Sequence, residues 1–153
     1  MSLKRNIRGF TMVELVVTLV ILGLLAAYAA PRFFDAQRFT NRGFYNETLN
    51  AVRYAQQFAV ATNCDVQVTL TANGYALNHP TDNCDTSDFD QDVPHPTRVG
   101  NPFAGSDSGV SVSPVTTFSF NALGVPSFSA NLPVMVGDIS FTVHADTGYI
   151  EEN

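Results

Sequence analysis

The sequence predicts an α+β fold, in which a long N-terminal helix packs on a small antiparallel β-body. Three observations carry that prediction. Phe10–Ala30 is a nearly unbroken apolar run, residues 44–59 repeat apolar side chains every three to four positions, and after Asn63 the repeat changes to every second residue. A helical period followed by a strand period, in that order, is the signature of segregated helix and sheet.

The apolar run reads FTMVELVVTLVILGLLAAYAA. As a helix its 21 residues extend about 32 Å, enough for a hydrocarbon core of about 30 Å. Residues 1–9 before it are short and basic, carrying Lys4, Arg5 and Arg8 and no acid. A positive flank stays cytoplasmic, so a single-pass arrangement with the body exported is expected. Without residues 1–9, five arginines, no lysine and all 14 acids remain, a net charge of −9. Such an acidic body disfavours nucleic acid, and no nucleic-acid partner is expected.

Three readings of the N-terminus compete. A secretory signal peptide would be cut near Ala27-Tyr28-Ala29, and a plain signal anchor would stay uncut. Neither accounts for Glu14, a carboxylate inside the run with no Lys, Arg or His between residues 9 and 31 to pair with it. Cleavage between Gly9 and Phe10 supplies a partner, because it creates an α-amine on Phe10 about one helical turn from Glu14. In a staggered bundle of like helices the carboxylate of one subunit would meet the amine of the next, which neutralises both and sets the register; the plainer alternative is a marginal anchor that tolerates one shallow carboxylate.

Pro31 follows, where a kink is expected because proline removes a helical hydrogen bond and clashes with the preceding turn. Beyond it, Phe44, Tyr45, Leu49, Ala51, Val52, Ala55 and Ala59 share one face, opposite Asn46, Glu47, Asn50, Arg53 and Gln57. That is a helix spine against a body, not a lipid-surface helix, whose polar face would be rich in cations. Gly43 is expected to weaken the helix between its halves.

In the β-body, Val66, Val68 and Leu70 alternate with polar residues, and Asn73-Gly74 signals a hairpin into Tyr75-Ala76-Leu77. Later, Phe118 and Phe120 alternate, Leu123-Gly124-Val125-Pro126 turns, and Ser127 and Phe128 continue the chain. Ile139, Phe141 and Val143 alternate, and Asp146-Thr147-Gly148 turns into Tyr149-Ile150. The count is five to seven short strands. Between the two sets, residues 79–114 hold five of the eight prolines and read as an irregular surface excursion. Cys64 and Cys84, an even pair in an exported chain, are expected to tie its base as a disulfide, with free buried thiols as the alternative.

Catalytic and metal signatures are weak. Asp88, Asp90 and Asp92 have calcium-loop spacing, but Val93 and Val99 stand where the loop needs Gly and Glu. An irregular Ca²⁺ site including Asp85 stays open beside the plainer reading of a solvated acidic loop. His79, His95 and His144 share no ligand spacing, and no P-loop, nucleophile elbow or dinucleotide fingerprint is present. No enzyme activity, cofactor or metal is expected.

Arg8-Gly9-Phe10-Thr11-Met12-Val13-Glu14-Leu15 resembles the prepilin processing site of type IV pilins and type II secretion pseudopilins. The resemblance implies Gly9 at the cleaved bond, Phe10 as the methylated new N-terminus, Glu14 as the assembly carboxylate, and Pro31 as the helix-kinking proline. It also implies a prepilin peptidase as processing partner and other major and minor pilins as partners through their N-terminal helices. Arg53-Tyr54-Ala55-Gln56, Cys64-Asp65-Val66, residues 120–126 and residues 146–150 are similar to the H-type pseudopilin and FimT-like group. Residues 31–35 with Arg42-Gly43-Phe44 are similar to a minor pilin of the mannose-sensitive haemagglutinin (MSHA) pilus. This implies a β-sandwich-like body and a low-abundance subunit that initiates or caps a pilus or pseudopilus. The expected organisation is leader 1–9, membrane and assembly helix 10–30, amphipathic spine 31–63 and body 64–153.

Overall fold

The computed structural model describes residues 10–81, 84 and 88–153, and within them leaves the side chains of residues 28–37 undescribed. The leader 1–9, with the expected cleavage residue Gly9, and Asp85 of the open calcium site lie outside the described residues. The chain forms two units that meet between Arg38 and Phe39. One helix, α1 (Met12–Thr62), contributes to both.

In the first unit, Met12–Ala27 of α1 carries apolar side chains on every side, and all of them are exposed. Among the described residues no helical stretch is both long and apolar enough to cross a membrane; the described side chains of the run end at Ala27. Pro31 lies in the helical stretch, among the residues whose side chains are not described.

In the second unit the rest of α1 is one-sided. Phe44, Tyr45, Leu49, Ala51, Val52, Ala55 and Ala59 are buried, while Asn46, Glu47, Asn50 and Gln57 are exposed. Thr48 is also buried, and its hydroxyl donates to the Phe44 carbonyl at 2.9 Å, so no polar group is stranded. Gly43 does not interrupt the helix. The helix stops at Asn63, which takes a left-handed conformation (φ 56°), and the Cys64 N–H reaches back to the Ala59 carbonyl at 3.3 Å. This is the bonding of a Schellman ending, with asparagine in the place usually held by glycine.

Among the described residues nine strands follow: β1 (Val66–Thr71), β2 (Gly74–His79), β3 (Gln91–Asp92), β4 (Ala104–Ser106), β5 (Val112–Ser113), β6 (Thr116–Phe120), β7 (Leu132–Val136), β8 (Ile139–Val143) and β9 (Ile150–Glu152). They make two antiparallel sheets. The first has the order β3-β2-β1-β6, with β4 also on β2; the second runs β5-β7-β8-β9. Val66 and Val68 of β1 face Phe120 and Phe118 of β6, and Leu70 faces Tyr75 of β2. In the second sheet Val134 faces Phe141 and Val143 faces Ile150. The buried faces of both sheets join the helix in one core. Tyr45 meets Phe141 edge-on, with ring centroids 6.0 Å apart, and Phe44 approaches Tyr75 at the same distance.

Several expectations need correction. The described residues form nine strands, not five to seven, because three very short ones lie inside residues 79–114. That stretch is not merely a surface excursion: Val93, Phe103, Val110 and Val112 return to the core. The hairpin after β1 turns at Ala72-Asn73, one residue early, since Thr71 already pairs with Gly74. Gly74 has no left-handed φ; a Cβ there would lie 2.6 Å from the Gly105 carbonyl, so the close approach of β4 requires the glycine. After Phe120, Ser127 and Phe128 form no strand; only an isolated bridge links Phe120 to Pro126.

Candidate assembly site

Helix α1 begins with a side-chain cap. The Glu14 N–H donates to the Thr11 hydroxyl at 3.2 Å, and the Leu15 N–H donates to the Thr11 carbonyl at 3.1 Å. Thr11 therefore satisfies a backbone donor that the helix start would leave open. The Thr-x-x-Glu spacing of a capping box, legible in Thr11 and Glu14, was the signal the sequence reading missed. The Glu14 carboxylate, in the first turn where the helix dipole favours a negative charge, has no hydrogen-bond or ion-pair partner among the described residues. Thr18, the other polar residue in the run, returns its hydroxyl to the Leu15 carbonyl at 2.8 Å. What remains for another molecule to meet is an apolar cylinder with one carboxylate near its end, and Phe10 exposed beside it.

Cys64 and Cys84 form a disulfide, with Cα atoms 4.6 Å apart. The described aspartates beyond it, Asp88, Asp90 and Asp92, do not converge on a centre. Asp90 accepts a short hydrogen bond from the Thr81 hydroxyl, and Asp92 accepts one from the Asn78 amide at 3.2 Å. The three histidines stand apart. His79 Nδ1 lies 2.8 Å from the Pro80 carbonyl, His95 Nδ1 accepts from the Thr97 and Arg98 N–H groups, and His144 Nε2 contacts Glu151 at 2.9 Å. Among the described residues no group of three His, Cys, Asp or Glu is placed to hold a metal.

The body surface holds a cavity of about 460 Å³ between α1 and the segments around β4, bordered by Glu47, Tyr75, His95 and Arg98. Tyr75 is buried, and burial is the main reason its phenol is pushed up to about 12. The Glu47 charge adds to that and Arg98 opposes it. Tyr45, whose hydroxyl donates to the Ser140 carbonyl at 3.3 Å, is also raised, by burial first and then by Glu152, against Arg53.

The anchoring of α1 to the body is polar at its edges. Arg53 pairs with Glu152 at 2.7 Å. Gln56 donates its amide to the carbonyls of Gly124 (3.0 Å) and Thr147 (3.2 Å). Asn41 donates to Asp138 at 3.2 Å.

Residues 4–30 match the prokaryotic N-terminal methylation motif, and residues 45–149 match the family described as type II transport protein GspH. The type IV narrow pilus major component PilA5 of Thermus thermophilus is 44% identical over 55 residues, which are 36% of this chain and 46% of the relative. The chain thus spans about half the length of that curated relative. Two crystal forms of the type IV minor pilin FimU of Pseudomonas aeruginosa PAO1 share the fold, each with a TM-score of 0.52 at 12% identity. They cover 73% and 76% of this chain, and 91% and 90% of the FimU chains.

Proposed function

The chain belongs to the GspH family of type II transport proteins, within the type IV pilin-like group, and from that premise we propose that it is a minor structural subunit of a type IV pilus-like fibre, of the MSHA type, that helps to initiate or cap the fibre. The observation that carries this reading is the pairing of a body closed around its own core with a helix start that leaves apolar residues and the Glu14 carboxylate open.

In this reading a prepilin peptidase cuts after Gly9 and Phe10 becomes the methylated N-terminus. Residues 10–30 hold the subunit in the inner membrane with its body, 64–153, in the periplasm. A bend at Pro31 lets the spine 31–63 leave the bundle axis. On assembly, the helix exchanges lipid for the helices of other pilins, where apolar contact alone discriminates little between one axial position and the next. Glu14 against the Phe10 amine of a neighbour supplies the discrimination, because a carboxylate left unpaired in that setting is costly. The role is structural, with no reaction catalysed. The likeness to a narrow-pilus component and to a minor pilin supports a pilus setting.

Intact-mass and N-terminal analysis of the protein from host membranes tests the processing. A chain that starts at methylated Phe10 is expected; a start at Ala30, or an uncut Met1, would reduce the chain to a secreted or anchored module with an ordinary signal sequence. A second reading, an H-type pseudopilin of a type II secretion system, is favoured by the family match itself. Deleting the gene separates the two: loss of surface fibres with normal exoprotein release supports the pilus subunit, and the reverse supports the pseudopilin.

A further inference from the structure

The cavity beside β4 has features that neither the core nor the assembly helix uses. Tyr75 is only 6% exposed, yet its hydroxyl has no hydrogen-bond partner among the described residues, and its side chain lines the cavity. The hydroxyl is reachable because Gly105, directly opposite Tyr75 in the β2–β4 pair, has no side chain. A Cβ at Gly105 would lie 2.7 Å from that oxygen. The ring is buried but the oxygen opens onto the cavity, since no buried side-chain oxygen among the described residues lacks a partner, so a ligand there would replace water on a hydroxyl that the fold itself leaves unused.

The walls around it carry one charge of each sign. Glu47 comes from α1 and Arg98 from the segment before β4, and neither forms an ion pair among the described residues. His95 Nδ1 accepts two backbone N–H groups, so in neutral histidine the proton sits on Nε2, leaving a donor. The His95 ring is held flat against Phe103, centroids 4.7 Å apart, and Phe103 is stacked on Tyr54 at 5.0 Å, so this wall is rigid. The volume falls within the range of about 300–1,000 Å³ usual for small-molecule sites.

We infer that this cavity binds a small zwitterion of the amino-acid or dipeptide class, with its ammonium toward Glu47, its carboxylate toward Arg98 and its polar middle on the Tyr75 hydroxyl. A simple anion would meet Glu47 and a simple cation would meet Arg98, whereas a ligand with both charges satisfies both walls. The phenol stays protonated at neutral pH, so it offers a donor and an acceptor without adding charge. This site is independent of the fibre role proposed for the helix.

Four peptides of one skeleton test the inference: Gly-Ser, N-acetyl-Gly-Ser, Gly-Ser amide and N-acetyl-Gly-Ser amide. They are titrated into the full chain in detergent micelles and followed by NMR shift changes. Gly-Ser is expected to bind about tenfold more tightly than either singly charged peptide, the size of one charge-assisted hydrogen bond. Glu47→Gln should erase its advantage over the acetylated peptide, and Arg98→Gln its advantage over the amide. Tyr75→Phe, which leaves the ring in place, should weaken all four. Equal binding of the four peptides, no binding at millimolar concentration, or unchanged affinity in the three variants would each overturn the assignment.

Discussion

Met12–Ala27 and Phe44–Ala59 are both helical and both rich in apolar residues, and they use those residues in opposite ways. In the second stretch the apolar side chains fall on one face and are consumed by the fold: Val52, Ala55 and Ala59 are completely buried. In the first they fall all round the axis, and Leu15, Val16 and Leu22 remain more than half exposed. A one-sided stripe commits a helix to its own body, whereas an apolar cylinder is available to lipid or to other helices. In the proposed role the difference separates what stabilises the body from what would assemble it, and substitutions in the two regions should have separable effects.

The largest expected effect falls on assembly. Glu14→Val should reduce the subunit in sheared fibres to background while the processed protein accumulates in membranes and its thermal midpoint stays unchanged. Normal incorporation of that variant would end the proposed role of the carboxylate. Next comes the body: Phe120→Ala, at a fully buried position opposite Val66, should lower unfolding free energy by about 3–5 kcal/mol in denaturant titration. Replacing Cys64 and Cys84 together by serine opens a loop with a sequence separation of 20 and should lower stability by about 3 kcal/mol, read as a matching loss on reduction of the native protein.

The smallest effect is a pH dependence. Folding holds the Tyr75 phenol protonated, so its contribution is complete below the ordinary phenol range near pH 10 and is lost as the pH rises through about 12. Spectrophotometric titration should show a late-ionising tyrosine that Tyr75→Phe removes. A titration without that late step would place Tyr75 in water and break the contrast between a closed body and an open helix.

Much of this contrast was legible in the residues. All seven positions assigned to the inner face of the spine are buried, because a 3.6-residue repeat leaves little freedom about which side faces the core. Thr48 escaped because a hydroxyl reads as surface until its bond to the Phe44 carbonyl is known. Strand β7 was hidden by Pro133; β5 pairs only with Val136 and Met135, so Pro133 lies where one edge of β7 has no neighbour, a place where proline is tolerated. Val93 and Phe103 were lost among prolines and aspartates, since isolated apolar residues carry no period. Glu14, in the proposed pairing with Phe10, stood out as a charge in the wrong solvent. The cavity at Tyr75 did not, because it is made by segments far apart in the chain and by a side chain that Gly105 lacks.

Gln56 has a consequence for how such a body can change over time. Its single amide holds the turn after β6, in the first sheet, and the turn between β8 and β9, in the second. A side chain at Gly148 would run into the Gly124 carbonyl and into that amide. Adding or removing a residue in either turn therefore disturbs both sheets at once, so those lengths are locked together. None of the described residues of 79–114 shares that tether to Gln56. Variation in loop length among descendants of this chain is thus expected to collect there, which leaves one flank of the body free to diversify while the other keeps its dimensions.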